Sequence, residues 1–277
     1  MSRSEVPDYP GLLRLDGRGF VVAGAGQGIG RQTAHALAQA GARVLCIDNV
    51  EEAARQVASE VDGVPCVADM REREDVERAL GQAQQSFGRL DGIVDIVGMA
   101  RYAQLLEVSD EDWDWTFQMV LRHAFLLAQV GGRMMVAQGD PSAAGDDGVR
   151  GRGGAGAMVF IASVSGLTSA PLHAPYGAAK AGLISLIRTA AVELGPLGVR
   201  VNGVAPGVVW TPRVSQLLGD QGRHDNAANT PVRRIAEPRD VAGACLFLMS
   251  DLADHLTGQV LTVDGGVSAK FPYPLEG

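Results

Sequence analysis

FVVAGAGQGIG, residues 20–30, runs from an unbroken apolar stretch into a cluster of glycines and out into an apolar-periodic segment. FVVAG (20–24) reads as a buried strand, and IGRQTAHALAQA beyond the glycines reads as a helix. Gly24, Gly28 and Gly30 permit a tight turn and a close approach by an anion. The helix behind them offers N–H groups that have no partner within the helix. A glycine cluster alone would serve any turn; between a strand and a helix it marks a phosphate-binding turn, with Gln27 and Ile29 inside it.

The same alternation continues outward. Further strands are expected at ARVLCID (42–48), PCVAD (65–69), GIVDIV (92–97), AMVFIAS (157–163), VRVNGV (199–204) and QVLTVD (259–264). Helices are expected at 51–61, 73–87, about 109–137, 175–194 and 238–250. Continuous Val/Ile/Leu strands between helices imply an α/β fold, a parallel sheet of about seven strands with helices on both faces. Right-handed crossovers then bring the carboxyl ends of the strands to one edge, where ligands bind. No internal boundary interrupts the rhythm, so residues 1–277 read as a single domain. Two stretches depart from it: a Gly-rich loop at 138–156, which contains RGRGG, and WTPRVSQLLGDQGRHDNAANTPVRR (210–234), read as a lid.

Composition narrows the function. A net charge of −8 argues against nucleic acid or an anionic membrane as the main partner. MSRSEVPDYP lacks the apolar run of a secretory signal, and no stretch approaches the ~20 apolar residues of a membrane span. Cys46, Cys66 and Cys245 sit in apolar surroundings without CxxC spacing, which reads as reduced thiols in a cytoplasmic protein with no metal site.

Asp48 ends the second expected strand, 18 residues beyond Gly30, with Asn49 next to it. An acid there can accept hydrogen bonds from adenosine ribose hydroxyls, and it would repel a 2′-phosphate. Gln27 supplies no cation to pair such a phosphate, so NAD is the expected cofactor rather than NADP. YGAAK (176–180) places Tyr176 and Lys180 on one helix face with only small residues between them. A phenol titrating near ~10 is a poor base at neutral pH, and bringing it to about 7 takes roughly 4 kcal/mol. A neighbouring ammonium and a positive nicotinamide ring can supply that in a pocket poor in water.

GAGQGIG, YGAAK preceded 13 residues earlier by Ser163, RVNGVAPG with VVWTP, and the closing VDGG together resemble the short-chain dehydrogenase/reductase family over about 17–266. The resemblance implies a single Rossmann-type, doubly wound domain, commonly a homotetramer, acting on a small-molecule alcohol or ketone. It casts Tyr176 as catalytic acid/base, Lys180 as the group that binds the nicotinamide ribose and lowers the phenol's pKa, and Ser163 as the orienter of the substrate oxygen. It puts Asp69 and Met70 at the adenine, Asp95 and Gly98 along the crevice, and Pro206, Gly207, Val209 and Thr211 beside the nicotinamide. The sequence departs from the family where Asn-Asn-Ala-Gly is common, reading Asp95, Ile96, Val97, Gly98. Val120 stands where the next helix commonly carries an asparagine, and Ala23 where the glycine motif commonly opens with threonine.

The expected function is therefore an NAD-dependent oxidoreductase interconverting a secondary alcohol and a ketone. Met99, Leu172, His173, Trp210, Leu217 and Leu218 flank the expected site and suit an apolar, medium-sized substrate, although each could equally be packing. The alternative, prompted by Asp95 and Val120, is a dinucleotide-binding protein with little turnover, a redox sensor or assembly subunit. The tail, with KFPYPLEG at 270–277, could reach a neighbouring subunit or simply end loosely.

Overall fold

The computed structural model describes residues 6–139 and 154–270. Most of the 138–156 loop and the end of the tail lie outside these residues. Seven strands form one sheet: β1 (Gly19–Ala23), β2 (Arg43–Asp48), β3 (Val64–Val67), β4 (Gly92–Asp95), β5 (Gly156–Ile161), β6 (Val199–Pro206) and β7 (Val260–Val263). Their order is β3-β2-β1-β4-β5-β6-β7, and every neighbouring pair is parallel. The helices are α1 (Gly28–Gln39), α2 (Glu51–Glu60), α3 (Arg73–Phe87), α4 (Asp110–Phe117), α5 (His123–Gln138), α6 (Ala174–Leu194), α7 (Pro212–Asn229) and α8 (Pro238–Met249).

β1 shows why the strands read as continuous apolar runs. All five of its residues are buried, because alternate side chains enter different cores. Val21 and Ala23 pack with Leu80, Leu127 and Leu183, whereas Phe20 and Val22 pack with Leu37, Val241 and Cys245. Removing a side chain such as Leu127 from either layer would cost about 2–5 kcal/mol. The strand order reverses between β1 and β4, so their connections leave in opposite directions and a crevice opens above their carboxyl ends.

Two elements differ from the sequence reading. The single long helix expected at about 109–137 is interrupted by a π-helical turn at Gln118–Arg122, between α4 and α5. Val120 lies in that turn with no exposed surface. The stretch 210–234 contains α7, capped by Thr211, whose side chain accepts a hydrogen bond from the Val214 N–H. Gly219 breaks α7 with φ 60° and ψ −174°, and none of its residues is buried. A helix with no apolar stripe gives no periodic signal.

Candidate active site

The glycine turn is shaped by contacts that exclude side chains. Gly24 adopts φ 80°, and a Cβ on Gly30 would stand 1.9 Å from the Gly24 carbonyl oxygen. No side chain caps α1 at Gln27 and no acidic residue sits in its first turn. Its leading N–H groups and the positive end of its dipole thus remain available to an anion. Above them opens a cleft of about 530 Å³. Of the expected cofactor residues it is lined by Gly24, Gln27, Gly28, Ile29, Asp48, Asn49, Asp69, Met70, Gly98 and Thr211. An uncapped helix start, a glycine cradle and a strand-end acid are the donor and acceptor set that fits a dinucleotide.

Asp48 helps to build the turn. Its carboxylate accepts hydrogen bonds from the Gly26 N–H at 2.9 Å and the Val50 N–H at 3.0 Å. Its remaining lone pairs face the cleft it lines. Asp69, expected at the adenine, is engaged by Arg71, whose Nη2 lies 2.5 Å from Oδ2 and whose backbone N–H donates at 3.0 Å. The Arg71 guanidinium holds the Asp69 carboxyl below its ordinary range. Gly30 belongs to the turn but does not line the cleft.

Pro206, Gly207 and Val209 also lie off the cleft, at the end of β6 and beyond it. Gly207 lines a neighbouring cavity with Val164 and Asn229, and Val209 is buried, bridged to Ala236. Asp95 lies off the cleft as well. It is 2% exposed, and its carboxylate turns under the crevice floor, accepting from the Val97 N–H at 3.1 Å and standing 2.9 Å from His123 Nε2. An acid there is drawn to buried donors rather than to the open cleft.

Ser163, Tyr176 and Lys180 converge beside this floor. Ser163 follows β5 and accepts a hydrogen bond from the Ser165 N–H at 3.1 Å. Tyr176 and Lys180 lie one turn apart on α6, with Lys180 Nζ 5.7 Å from the tyrosine ring centroid. The small residues between them have a packing reason. A Cβ on Gly177 would come 3.0 Å from the Ser165 carbonyl oxygen, and one on Gly166 would come 2.7 Å from the Lys180 carbonyl carbon. The Ser163 loop and α6 are thereby locked together.

Lys180 is 2% exposed and donates from Nζ to the Ile161 carbonyl oxygen at 2.5 Å. Burial pulls its ammonium down to about 8, opposed by the nearby Asp95 carboxylate. Tyr176 runs against the expected lowering. By surface area it is only half-buried, yet atoms crowd its hydroxyl closely enough to push the phenol up to about 12, a hydrogen bond with Ser163 pulling weakly the other way.

Around Tyr176 stand Tyr102 and His173, with ring centroids 6.4 Å and 6.1 Å from it. Leu172 is exposed in a left-handed conformation, φ 69°, and is not core packing. Arg213, at the start of α7, reaches Met99 at the edge of the cleft. Tyr102, Arg213, Trp115 and His123 are absent from the sequence reading. The signal for His123 was present: a histidine opening the apolar run AFLLA, three residues after the anomalous Val120.

The family model described as enoyl-(acyl carrier protein) reductase matches residues 24–268. A 3-oxoacyl-[acyl-carrier-protein] reductase of Thermotoga maritima is 32% identical over 260 residues, covering 92% of this chain and 99% of its own. The chain belongs to the short-chain dehydrogenase/reductase family. Another family member, the D-threitol dehydrogenase of Mycolicibacterium smegmatis, is 34% identical, covering 93% of this chain and 95% of its own. Among solved structures of the family, a 7α-hydroxysteroid dehydrogenase complexed with NADH and 7-oxo glycochenodeoxycholic acid superposes with TM-score 0.85 at 28% identity, covering 94% of this chain and 98% of its own. Members of this short-chain dehydrogenase/reductase family bind a nicotinamide dinucleotide, and these relatives are oxidoreductases of alcohols and ketones.

Proposed function

We propose that the protein is an NAD-dependent oxidoreductase that interconverts a secondary alcohol and a ketone. The convergence of Ser163, Tyr176 and Lys180 beside a dinucleotide-shaped cleft carries this reading. NAD supplies the site that takes or gives the hydride. Tyr176 takes the hydroxyl proton of the alcohol, or returns one to the ketone oxygen. Ser163 donates a hydrogen bond to that oxygen and fixes its distance from the phenol. Lys180 holds the nicotinamide ribose and lends its charge to the phenolate.

The chain's own groups make the phenol less acidic, to about 12. Bringing it to near 7 takes on the order of 7 kcal/mol, which Lys180 and the positive ring of the bound cofactor would have to supply together. Asp48 supports NAD over NADP, since its carboxylate opposes a 2′-phosphate and Gln27 is uncharged. Arg71, the cation at that end, is already paired with Asp69. Tyr102, His173 and exposed Met99, Leu172 and Leu217 support an apolar, medium-sized substrate. We read the protein as one catalytic domain, with 210–234 as lid. Exposed Trp113, Phe125 and Val192 support a homo-oligomer, a tetramer or dimer. Three free, buried cysteines support a cytoplasmic setting.

Tyrosine ionisation followed near 295 nm with NAD+ bound tests the reading. Only Tyr9, Tyr102, Tyr176 and Tyr273 contribute. A phenolate forming about two or three units below the ordinary value near ~10, and missing in Tyr176→Phe, is the expected result. If Tyr176 titrates with the others while cofactor is bound, the second reading takes over, a dinucleotide-binding protein with little turnover. The upward push on Tyr176 is the observation in its favour.

A further inference from the structure

Three ionisable side chains from three different elements are buried behind the crevice floor. Asp95 ends β4, His123 opens α5 and Lys180 lies on α6; their exposures are 2%, 0% and 2%. Buried charges of this kind are rare unless they are paired. Asp95 lies in register with Phe160 of β5, and the next residue, Ile161, provides the carbonyl that accepts from Lys180 Nζ. A Cβ on Gly98, three residues past Asp95, would come 3.3 Å from Nζ. The end of β4 therefore runs along the lysine.

We propose that Asp95 and His123 are positioning residues: Asp95 is a buried counter-charge, kept in place by His123, that keeps Lys180 protonated in a site too dry to do so alone. The carbonyl of Ile161 orients the ammonium but carries no charge to balance it. Asp95 is the one carboxylate that acts on Lys180 against its burial. Asp95 itself is held by the Val97 N–H through Oδ1 and by His123 beside Oδ2. His123 Nε2 is 2.9 Å from that oxygen but not aligned as a hydrogen bond, and Nδ1 has no partner among the described residues. A fully buried imidazole with neither nitrogen satisfied is costly for packing alone. Its place beside a buried carboxylate gives it a function.

The departures at Asp95 and Val120 then form one change. Val120 cannot hydrogen-bond through its side chain, and His123 is the next polar side chain turned inward from that helix. The charged groups around the set are few. Asp95 faces Lys180 from β4 and Tyr176 faces it from its own helix; His123 meets Asp95, and Asp69, the next carboxylate on that side, is paired with Arg71.

The proposal rests on the reading that Lys180 serves the active site, but its test needs neither cofactor nor substrate. The sequence contains only two lysines, Lys180 and Lys270. Protein labelled with 13Cε-lysine therefore gives two resolvable titrations, with Lys270, exposed and bound to Asn229, as the reference. In the wild type Lys180 should titrate below the ordinary lysine value near ~10.4. Asp95→Asn should lower the Lys180 midpoint by about one pH unit or more, roughly tenfold in proton affinity, and leave Lys270 unmoved. His123→Leu should act in the same direction, while His123→Gln, which keeps an N–H for Asp95, should stay within about 0.3 unit of wild type. A Lys180 midpoint unchanged in Asp95→Asn overturns the proposal, as does a common shift in both His123 variants. If Asp95→Asn does not fold, and both lysines titrate together, the His123 pair decides. A Lys180 midpoint that falls in Asp95→Asn, with no early Tyr176 transition when cofactor is bound, would uphold the role of Asp95 and reject the enzyme reading.

Discussion

Asp48 and Asp95 end the two strands that flank β1, at the same edge of the sheet, yet their carboxylates occupy opposite environments. Asp48 is part-exposed, anchored by two backbone N–H groups, and lines the cleft. Asp95 is sealed beneath the floor with an imidazole and an ammonium near it. On the Asp48 side the crevice is made of backbone N–H groups and acids reachable by solvent. On the lysine side it is made of charges that water cannot screen. Changes on the buried side should therefore cost more and depend on pH, whereas changes on the open side should alter selectivity.

The sharpest way to break this contrast is Tyr176→Phe. On whichever alcohol a substrate panel with NAD+ identifies, turnover should fall by roughly 10²–10⁴-fold, the usual reach of general acid–base catalysis. NAD+ affinity, set on the open side, should change by less than about threefold, an effect below 1 kcal/mol. Equal losses in both would mean that the two sides are not separable.

Lys180→Met probes the charge itself. The lysine titrates at about 8 in the folded chain and near 10.4 when unfolded. Between these values the folded state binds fewer protons, so stability rises with pH across that window and levels off beyond it. Below about 8 the full cost of burying the ammonium is present. Urea unfolding from pH 7 to pH 10 should show wild type gaining on the order of 3 kcal/mol relative to Lys180→Met. A constant gap would mean that the cost of burying the ammonium is fully compensated in the folded protein.

Asp48→Asn tests the open side. One oxygen remains to accept from the turn, while the negative charge facing a 2′-phosphate is lost. The ratio of NAD+ to NADP+ affinity, measured by binding, should fall by about tenfold, or ~1.4 kcal/mol, alongside a folding-stability loss of about 1 kcal/mol from the backbone N–H that loses its acceptor. A ratio that stays fixed would place the cofactor choice elsewhere, with Arg71 the first candidate.

The same contrast explains what the sequence could disclose. The strands, the glycine turn and Tyr176 with Lys180 were legible because each is a local pattern: a run of buried residues, a turn that excludes Cβ atoms, an i,i+4 pair. The environment of Asp95 was not legible, because a carboxylate at a strand end looks the same whether it turns up to the cleft or down to a histidine 28 residues later. The rise of the Tyr176 phenol was illegible for a related reason, since it depends on how closely α6 meets the Ser163 loop. α7 carried readable end signals in Thr211 and Pro212 but no buried stripe, and Gly219 divides what periodicity it has.

The smallest expected effect belongs to the Asp69–Arg71 pair, the open side's counterpart of Asp95 and Lys180. Both of its side chains are about one-third exposed, 30% and 35%. Arg71 holds the Asp69 carboxyl below its ordinary range, chiefly through side-chain hydrogen bonds. The pair's contribution to stability is therefore complete above the unfolded carboxylate's value near ~3.9 and is lost as pH falls through the lower folded value. Solvent and salt screen a pair this exposed, so it contributes no more than about 1 kcal/mol. Arg71→Gln should thus lower Tm by at most about 4 °C at pH 7, less in 0.5 M salt, and by nothing once Asp69 is protonated. A larger loss that persists in salt would show that Asp69 and Arg71 are as poorly screened as the charges beneath the floor, and the division of the crevice into two electrostatic halves would fail.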